Sequence, residues 1–476
     1  MASNHQNNAP NEVVVVMVPL PAQGHLNQLL HLSRLISAYN IPVHFVGTPN
    51  HNRQAKVRVH GWDQTSDVKN TIHFHDFIIP PVFCPPPNPN APNKFPSHLL
   101  PTFEATTHLR HPVAALLRNL ASQTRRVVVI HDSIMASVIQ DIGSIVNGES
   151  YTFHTVSAFA VFLFLWEGIA CPPELEGVQV KSKIPDTTPG LEDCFPDEFL
   201  NFIVTQYEYT VHNSGNIYNA SRTIEGEYID LLNKLGDNKK HWAVGPFNPV
   251  LVPEKKEGSN DGKRHACLDW LDKQEPNSVI YVSFGTTTCM TDEQIKELAI
   301  GLEQSNQKFI WVLRDADKGD LFIDGDQVRK AELPEGYEEK VKDRGVVVRD
   351  WAPQLEILSH NSTAWFLSHC GWNSCMESLT LGVPIACWPM HSDQPRNTTL
   401  VTRVLKVGLV IRDWERRNEL ITSSMVKDGV EKLMGYGEVD EIRKKARELG
   451  AAVRGSMVEG GDSRVELSSF IAHITR

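Results

Sequence analysis

WAPQLEILSHNSTAWFLSHCGWNSCMESLTLGVPIACWPMHSDQ, residues 351–394, holds a strand-to-helix unit and the polar groups such a unit presents at its end. A β-rich run, Trp365 to Leu367, leads into His369-Cys370-Gly371-Trp372-Asn373-Ser374, where a helical pattern begins and runs to Leu381. A further strand-like run, Pro384 to Cys387, follows. Ligands of open parallel sheets bind beyond the carboxyl ends of the strands, where this turn would lie. Gly371 permits the tight turn. Asn373 and Ser374 suit a helix N-terminus, whose free N–H groups would hold a diphosphate. His369 would sit beside those phosphates as a donor, and Glu377, about one turn into the helix, suits a ribose diol. Trp351, ending a different strand, offers a flat face to a nucleobase, and Gln354 would reach the ribose. Taken singly, either tryptophan is as well explained as a core aromatic and Glu377 as a solvated helix residue. The ordered set points to a nucleotide site.

The same alternation governs the rest of the chain. A strand-like run, Val13 to Pro19, is followed by a turn at Pro21-Ala22-Gln23-Gly24, a helical pattern from Leu26 to Ile36 and a second strand, Pro42 to Val46. This is a βαβ unit, hence a parallel sheet with a right-handed crossover. Arg126 to Ile130 is another buried strand, ending at His131-Asp132. The Pro-rich stretch Pro80 to Pro101 reads as a long surface loop. Around Gly245 to Ala266 the chain turns charged and rich in Pro, Gly and Ser, which marks a linker. Beyond it, Ser278 to Phe284, Phe309 to Leu313 and Val346 to Arg349 are further strands. The expected architecture is α/β: two doubly wound Rossmann-like domains facing across a cleft. Residues 1–246 would form an N-terminal acceptor-binding domain, 247–266 the linker, and 267–460 a C-terminal nucleotide-binding domain, with 461–476 a final segment.

Composition restricts the function. With 46 basic against 57 acidic residues the formal net charge is −11, which disfavours electrostatic capture of nucleic acid or anionic membrane. Any phosphate site must then be local. Residues Met1 to Asn11 are polar and the following apolar run is broken by Pro19, so no secretory signal is expected. The longest apolar stretch, Val156 to Trp166, is about half a membrane span and reads as a buried helix. The eight cysteines show no C-x-x-C or framework spacing, and Cys370 and Cys375 read as small buried thiols. A reducing cytoplasmic location is expected, with the sequons at Asn219, Asn361 and Asn397 unused.

Residues 351–394 resemble, at nearly every position, the signature box of the plant family-1, UDP-sugar-dependent glycosyltransferases. The resemblance extends over essentially the whole chain and is strongest to the zeatin (cytokinin) O-glucosyltransferase branch, through PAQGHLNQLLHLSRLI, NIPVHFVGT, FPSHLLPTFEA, VSFGTTT, LEQSNQKFIWVLRDADKGD and PMHSDQPRN. It implies the GT-B type of fold, a final segment that packs back on the first domain, and UDP-glucose or UDP-xylose as donor. It assigns Trp351, Ala352, Gln354, His369, Trp372, Asn373, Ser374 and Glu377 to the donor, and Asp393 and Gln394 to the sugar hydroxyls. Gln394 would favour glucose or xylose over galactose. The chain departs from the family at Ala364-Trp365, where small residues are usual, so a buried indole must be repacked there.

Transfer from a UDP-sugar needs only a base to deprotonate the acceptor, because UDP is already a good leaving group. A histidine oriented by a carboxylate suits that task. His25 follows the first strand and Asp132 another, so both belong at the carboxyl ends of one sheet. They also match the family's catalytic loop and orienting acid; His131 is the neighbouring competitor. One base and in-line attack imply inversion. Asp315-Ala316-Asp317 and Asp324-Gly325-Asp326 imitate a metal-binding D-x-D but lie in a polar segment that reads as a solvated loop, so neither a metal nor a bound cofactor is expected. Gly285 and Thr286, after the first strand of the second domain, would approach the phosphates. Phe95, Phe159 and Tyr207 are the expected acceptor contacts, with Phe159 facing the ligand. Such a wall suits a planar acceptor with one hydroxyl: trans-zeatin first, a flavonoid or other phenolic as the alternative. A non-catalytic UDP-sugar-binding protein on the same scaffold would have no need of both His25 and Asp132. A monomer is expected.

Overall fold

A computed structural model describes residues 13–58, 72–191, 194–235, 239–250, 264–314 and 331–476. Strand β1 (Val13–Val18) is apolar throughout and buried throughout, which requires cover on both faces of its sheet. Val13, Val15 and Met17 face helix α1 (Gln23–Ser37). Val14, Val16 and Val18 face the opposite layer, which includes Val113 and Leu117. Around β1 assemble β2 (Val43–Gly47), β3 (Ile72–Asp76), β4 (Arg126–Asp132) and β5 (Gly148–His154). A short hairpin, β6 (Glu174–Leu175) and β7 (Val178–Gln179), stands apart, and β8 (Asn213–Tyr218) and β9 (Lys240–Ala243) complete the sheet. Its order is β3-β2-β1-β4-β5-β8-β9, with every pair parallel.

The second sheet comprises β10 (Val279–Ser283), β11 (Lys308–Val312), β12 (Gly345–Val348), β13 (Thr363–Ser368), β14 (Ile385–Cys387) and β15 (Gly408–Val410). It is again wholly parallel, in the order β12-β11-β10-β13-β14-β15. In each sheet the chain reverses its direction of travel at the first strand, between β1 and β4 and between β10 and β13. Ligands of such sheets bind at these reversal points.

An apolar cluster joins the lobes. Helix α2 (Ala158–Gly168) and helix α3 (Arg222–Asn233) contribute Phe159, Phe162 and Tyr228, and helix α4 (Trp372–Leu381) contributes Trp372, Met376 and Leu379. After α4, helix α5 (Gln394–Thr399) carries the polar segment that closes the cleft. The last helix, α6 (Asp462–Thr475), lies on the first sheet: Phe470 meets Tyr151 at 5.3 Å and Trp242 at 5.2 Å between ring centroids.

Several strands carry no apolar signature. Strand β5 reads GESYTFH and β8 reads NSGNIY; Ser150, Thr152, His154, Asn213 and Asn216 are buried and hydrogen-bonded, while Ser214 faces solvent. The stretch from Pro80 to Pro101 is irregular as expected, until a 3-10 turn at Ser97–Leu99 opens a short helix, Leu100–Glu104. Trp365 is fully buried beneath the Arg443 guanidinium, 5.9 Å from its ring. Asn219 and Asn397 are buried, which blocks glycosylation of the folded chain at both; Asn361 is exposed. Both D-x-D sequences lie outside the described residues. Among the described residues no helix is long and apolar enough to cross a membrane.

Candidate active site

Both reversal points open onto one solvent-open cleft lined by residues of both lobes. On the first lobe, His25 Nδ1 lies 2.6 Å from Asp132 Oδ2. Asp132 is fully buried and its other oxygen accepts from the Ile134 N–H at 3.2 Å, while His25 retains 25% exposure. A carboxylate only accepts, so Nδ1 carries the proton and Nε2 is left with the lone pair a base needs. Thr155, which the sequence did not single out, places its hydroxyl 3.2 Å from the same Nδ1. His131 is no competitor. It is fully buried, with Nδ1 2.8 Å from the Asp132 carbonyl, and burial pulls its pKa down to about 4.

On the second lobe, His369 is packed between two glycines. A Cβ on Gly285 would come within 2.7 Å of its ring, and one on Gly371 within 2.5 Å. Gly285 also has φ +80, so both glycine reasons apply there. Burial lowers the His369 pKa to about 4, and its Nδ1 is buried without a partner. The ring is therefore neutral and can donate once. Gly371 leads into α4 with no side-chain cap, leaving the first N–H groups of the helix for an anion. Thr286, Ala352 and Ser374 also border the cleft. Trp351 carries the Arg314 guanidinium 5.0 Å from its ring centre.

Glu377 is held from behind. Gln354 Nε2 donates to Glu377 Oε2 at 2.6 Å and contacts Ser374 Oγ at 3.2 Å, while Gln354 Oε1 accepts from the Tyr281 hydroxyl at 3.1 Å. Gln354 thus orients Glu377 from within the cleft lining. Desolvation raises the Glu377 pKa to about 7. Asp393 is raised to about 6, again chiefly by desolvation, which its hydrogen bond from Asn397 opposes. Gln394 Oε1 accepts from the N–H groups of Met390 and His391, at 2.9 and 3.1 Å, and its amide nitrogen lies 3.3 Å from His391 Nε2. His391, also missed in the sequence, borders the cleft as a neutral ring, its pKa lowered to about 3 by burial.

Two expected donor residues join the lobes. The Trp372 indole N–H donates to the Asn219 carbonyl at 2.8 Å, and Asn373 Nδ2 donates to the Gly24 carbonyl at 2.8 Å, one residue before His25. Asn397 extends the link: it accepts from the Ser157 hydroxyl at 2.7 Å and donates to Asp393 Oδ2 at 2.7 Å and to the Cys370 carbonyl at 2.9 Å. Its spacing from Asp393, one helical turn, was the only signal in the sequence. Arg396, 2% exposed, pairs with both oxygens of Glu167 at 2.7 Å.

The acceptor side is lined by Phe95, Leu99, Val161, Phe164, Phe199 and Tyr207, among others. Phe95 packs on Phe199 at 4.5 Å and meets His391 edge-on at 5.8 Å; Tyr207 stacks on Phe164 at 5.4 Å. Phe159 does not face the cleft. It is fully buried against Tyr228, centroids 4.7 Å apart, and its backbone N–H donates to the Glu225 carboxyl at 2.9 Å. The helical neighbours Ala160, Val161 and Phe164 form the wall instead. Among the described residues, no group of three or more His, Cys, Asp or Glu side chains converges as metal ligands.

Residues 11–249 match the family described as "Glycosyltransferase, N-terminal domain", and residues 259–431 the family described as "UDP-glucoronosyl and UDP-glucosyl transferase". The chain belongs to the UDP-glycosyltransferases. This glycosyltransferase is 57% identical over 465 residues to a zeatin O-glucosyltransferase of Phaseolus lunatus, covering 98% of the chain and 97% of the relative. It is 55% identical over 469 residues to a zeatin O-xylosyltransferase of Phaseolus vulgaris, covering 98% and 99%. Among solved structures, Medicago truncatula UGT71G1 complexed with UDP-glucose matches with TM-score 0.70 at 25% identity, over 98% of this chain and 99% of that one. The two-sheet architecture is therefore that of the GT-B glycosyltransferases, and the enzyme uses a UDP-sugar as donor.

Proposed function

We propose that this glycosyltransferase moves glucose or xylose from UDP to the side-chain hydroxyl of trans-zeatin or a related cytokinin, with inversion and without a metal ion. It would act as a monomer in the cytoplasm. The observation that carries the mechanism is the His25–Asp132 pair, 2.6 Å apart at the mouth of the cleft. His25 Nε2 takes the acceptor's hydroxyl proton as the oxygen attacks C1, and Asp132 stabilises the imidazolium that forms. UDP departs from the opposite face, toward the α4 N-terminus, Thr286 and His369, which offer hydrogen bonds to its growing negative charge. Asp393 and Gln394 hold the sugar hydroxyls. The acceptor assignment rests on the whole-length likeness to the two Phaseolus enzymes together with the apolar, aromatic acceptor wall. Those relatives use different sugars at nearly equal identity, so the donor is left to the assay. One chain supplies both halves of the site, which supports a monomer, and its eight free thiols suit a reducing compartment.

The test is incubation of the purified protein with UDP-glucose or UDP-xylose and EDTA, against trans-zeatin and a panel of plant phenols, with products weighed by mass spectrometry. A hexosyl- or pentosyl-zeatin product is expected. Transfer to phenols alone would overturn the acceptor, and loss of activity with EDTA would overturn metal independence.

A further inference from the structure

Among the aromatic side chains lining the acceptor side, the last residue of β5, His154, brings a polar edge. It is 5% exposed, and its hydrogen-bonding roles follow from the backbone outward. Asn213 Oδ1 accepts from the N–H groups of Thr152 and Gly215, each at 3.1 Å. Backbone N–H groups only donate, so this atom is the oxygen and the same amide turns its Nδ2 to Asn216. Asn216 answers with its oxygen, 3.1 Å away. That oxygen also lies 3.1 Å from His154 Nε2, so Nε2 must carry a proton. Burial pulls the His154 pKa down to about 4, keeping the ring neutral near pH 7. A neutral ring protonated at Nε2 has a bare lone pair on Nδ1. Among the described residues, no protein group is hydrogen-bonded to that nitrogen. The ring cannot readily turn away, since it stacks on Tyr218 at 4.8 Å and 10°.

We propose that His154 is a specificity-determining residue whose Nδ1 accepts a hydrogen bond from an N–H group on the acceptor's heterocycle. It rests on the acceptor being a hydroxylated adenine derivative, and it names the part of that molecule the enzyme reads besides the hydroxyl it glycosylates. A site built around a hydrogen bond disfavours analogues that leave the buried partner unpaired. The enzyme would therefore prefer N–H-bearing planar acceptors to all-carbon phenols of similar size.

His154→Phe keeps the stack and removes Nδ1. We expect the KM for trans-zeatin to rise about tenfold, corresponding to roughly 1.4 kcal/mol, with kcat, the Kd for UDP and the KM for a planar phenol lacking a ring N–H little changed. Should the variant fail to fold, the wild-type enzyme provides the second arm. Of zeatin analogues methylated at N6 or N9, one should lose about the same factor in KM. If the variant binds zeatin as tightly as wild type, or if wild type accepts both methylated analogues as well as zeatin, the role of His154 is wrong while zeatin transfer stands. If wild type glycosylates phenols and ignores zeatin, the acceptor assignment itself fails, and this inference with it.

Discussion

The two sheets reverse at equivalent places, yet the crevices above those points carry different chemistry. Above β1 and β4 stand a partly exposed imidazole and a buried carboxylate in direct contact. Above β10 and β13 stand an uncapped helix N-terminus, a neutral histidine and Glu377, whose ionisation is held back by burial. The first crevice already has its imidazole hydrogen-bonded to an orienting carboxylate, as proton transfer requires. The second has polar groups short of partners, as suits a site that waits for its charge to arrive with the ligand. In the proposed mechanism one lobe performs the chemistry and the other holds the leaving group.

That division is easiest to break at the dyad. His25→Ala should lower kcat by about 10³-fold, within the range general-base catalysis supplies, while calorimetry finds UDP binding unchanged. Asp132→Asn should follow closely. Near-normal turnover in either variant would remove the base from the first lobe. Phe159→Ala tests where the acceptor lobe ends. Excising a fully buried ring should destabilise the fold by about 3–5 kcal/mol in urea titrations and leave the acceptor KM unchanged below the melting temperature, whereas Phe164→Ala should raise that KM. A reversed pattern would return Phe159 to the site.

The link between the lobes can be probed at Asn397. Removing its amide frees Asp393, so Asn397→Ala should raise the KM for the UDP-sugar about tenfold while UDP alone, having no sugar, binds as before. Equal losses for both would reduce Asn397 to a structural role. The smallest effect concerns pH. Glu377 has a pKa of about 7 in the folded protein against an ordinary 4.5, so the folded state binds more protons across that interval. Its contribution is fully present below pH 4.5 and is lost as pH rises through 7. Glu377→Gln should therefore gain Tm relative to wild type between pH 4.5 and 8 and gain nothing below; a pH-independent difference would contradict the buried, proton-holding carboxyl.

How much of this was legible in the sequence depended on whether a residue acts with near neighbours or distant ones. The α4 turn, the dyad and the two-sheet architecture rest on runs such as VVVVMV and on residues that immediately follow strands, so local pattern revealed them. Strands β5 and β8 did not show, because their buried positions are filled by polar residues whose partners are distant in sequence: Asn213 bonds Thr152 across 61 residues and Asn216 bonds His154 across 62. Phe159 misled for a related reason. In an almost wholly apolar helix nothing local says which side faces the cleft, and the ring that covers Phe159 is Tyr228, in a different helix. Thr155 reaches His25 across 130 residues of sequence, and His391 meets Phe95 only when the lobes come together.

Helix α6 ends the chain but belongs, by packing, to the lobe that begins it: Arg125 binds the carbonyls of Thr475 and Arg476, and Lys240 binds Ser469. The enzyme is thus topologically interleaved. An engineer exchanging acceptor lobes between related transferases could not do so with a single junction in the linker. Such a chimera would pair a new sheet with a foreign final helix against Tyr151 and Trp242, so a working swap needs two junctions, the second just before Asp462.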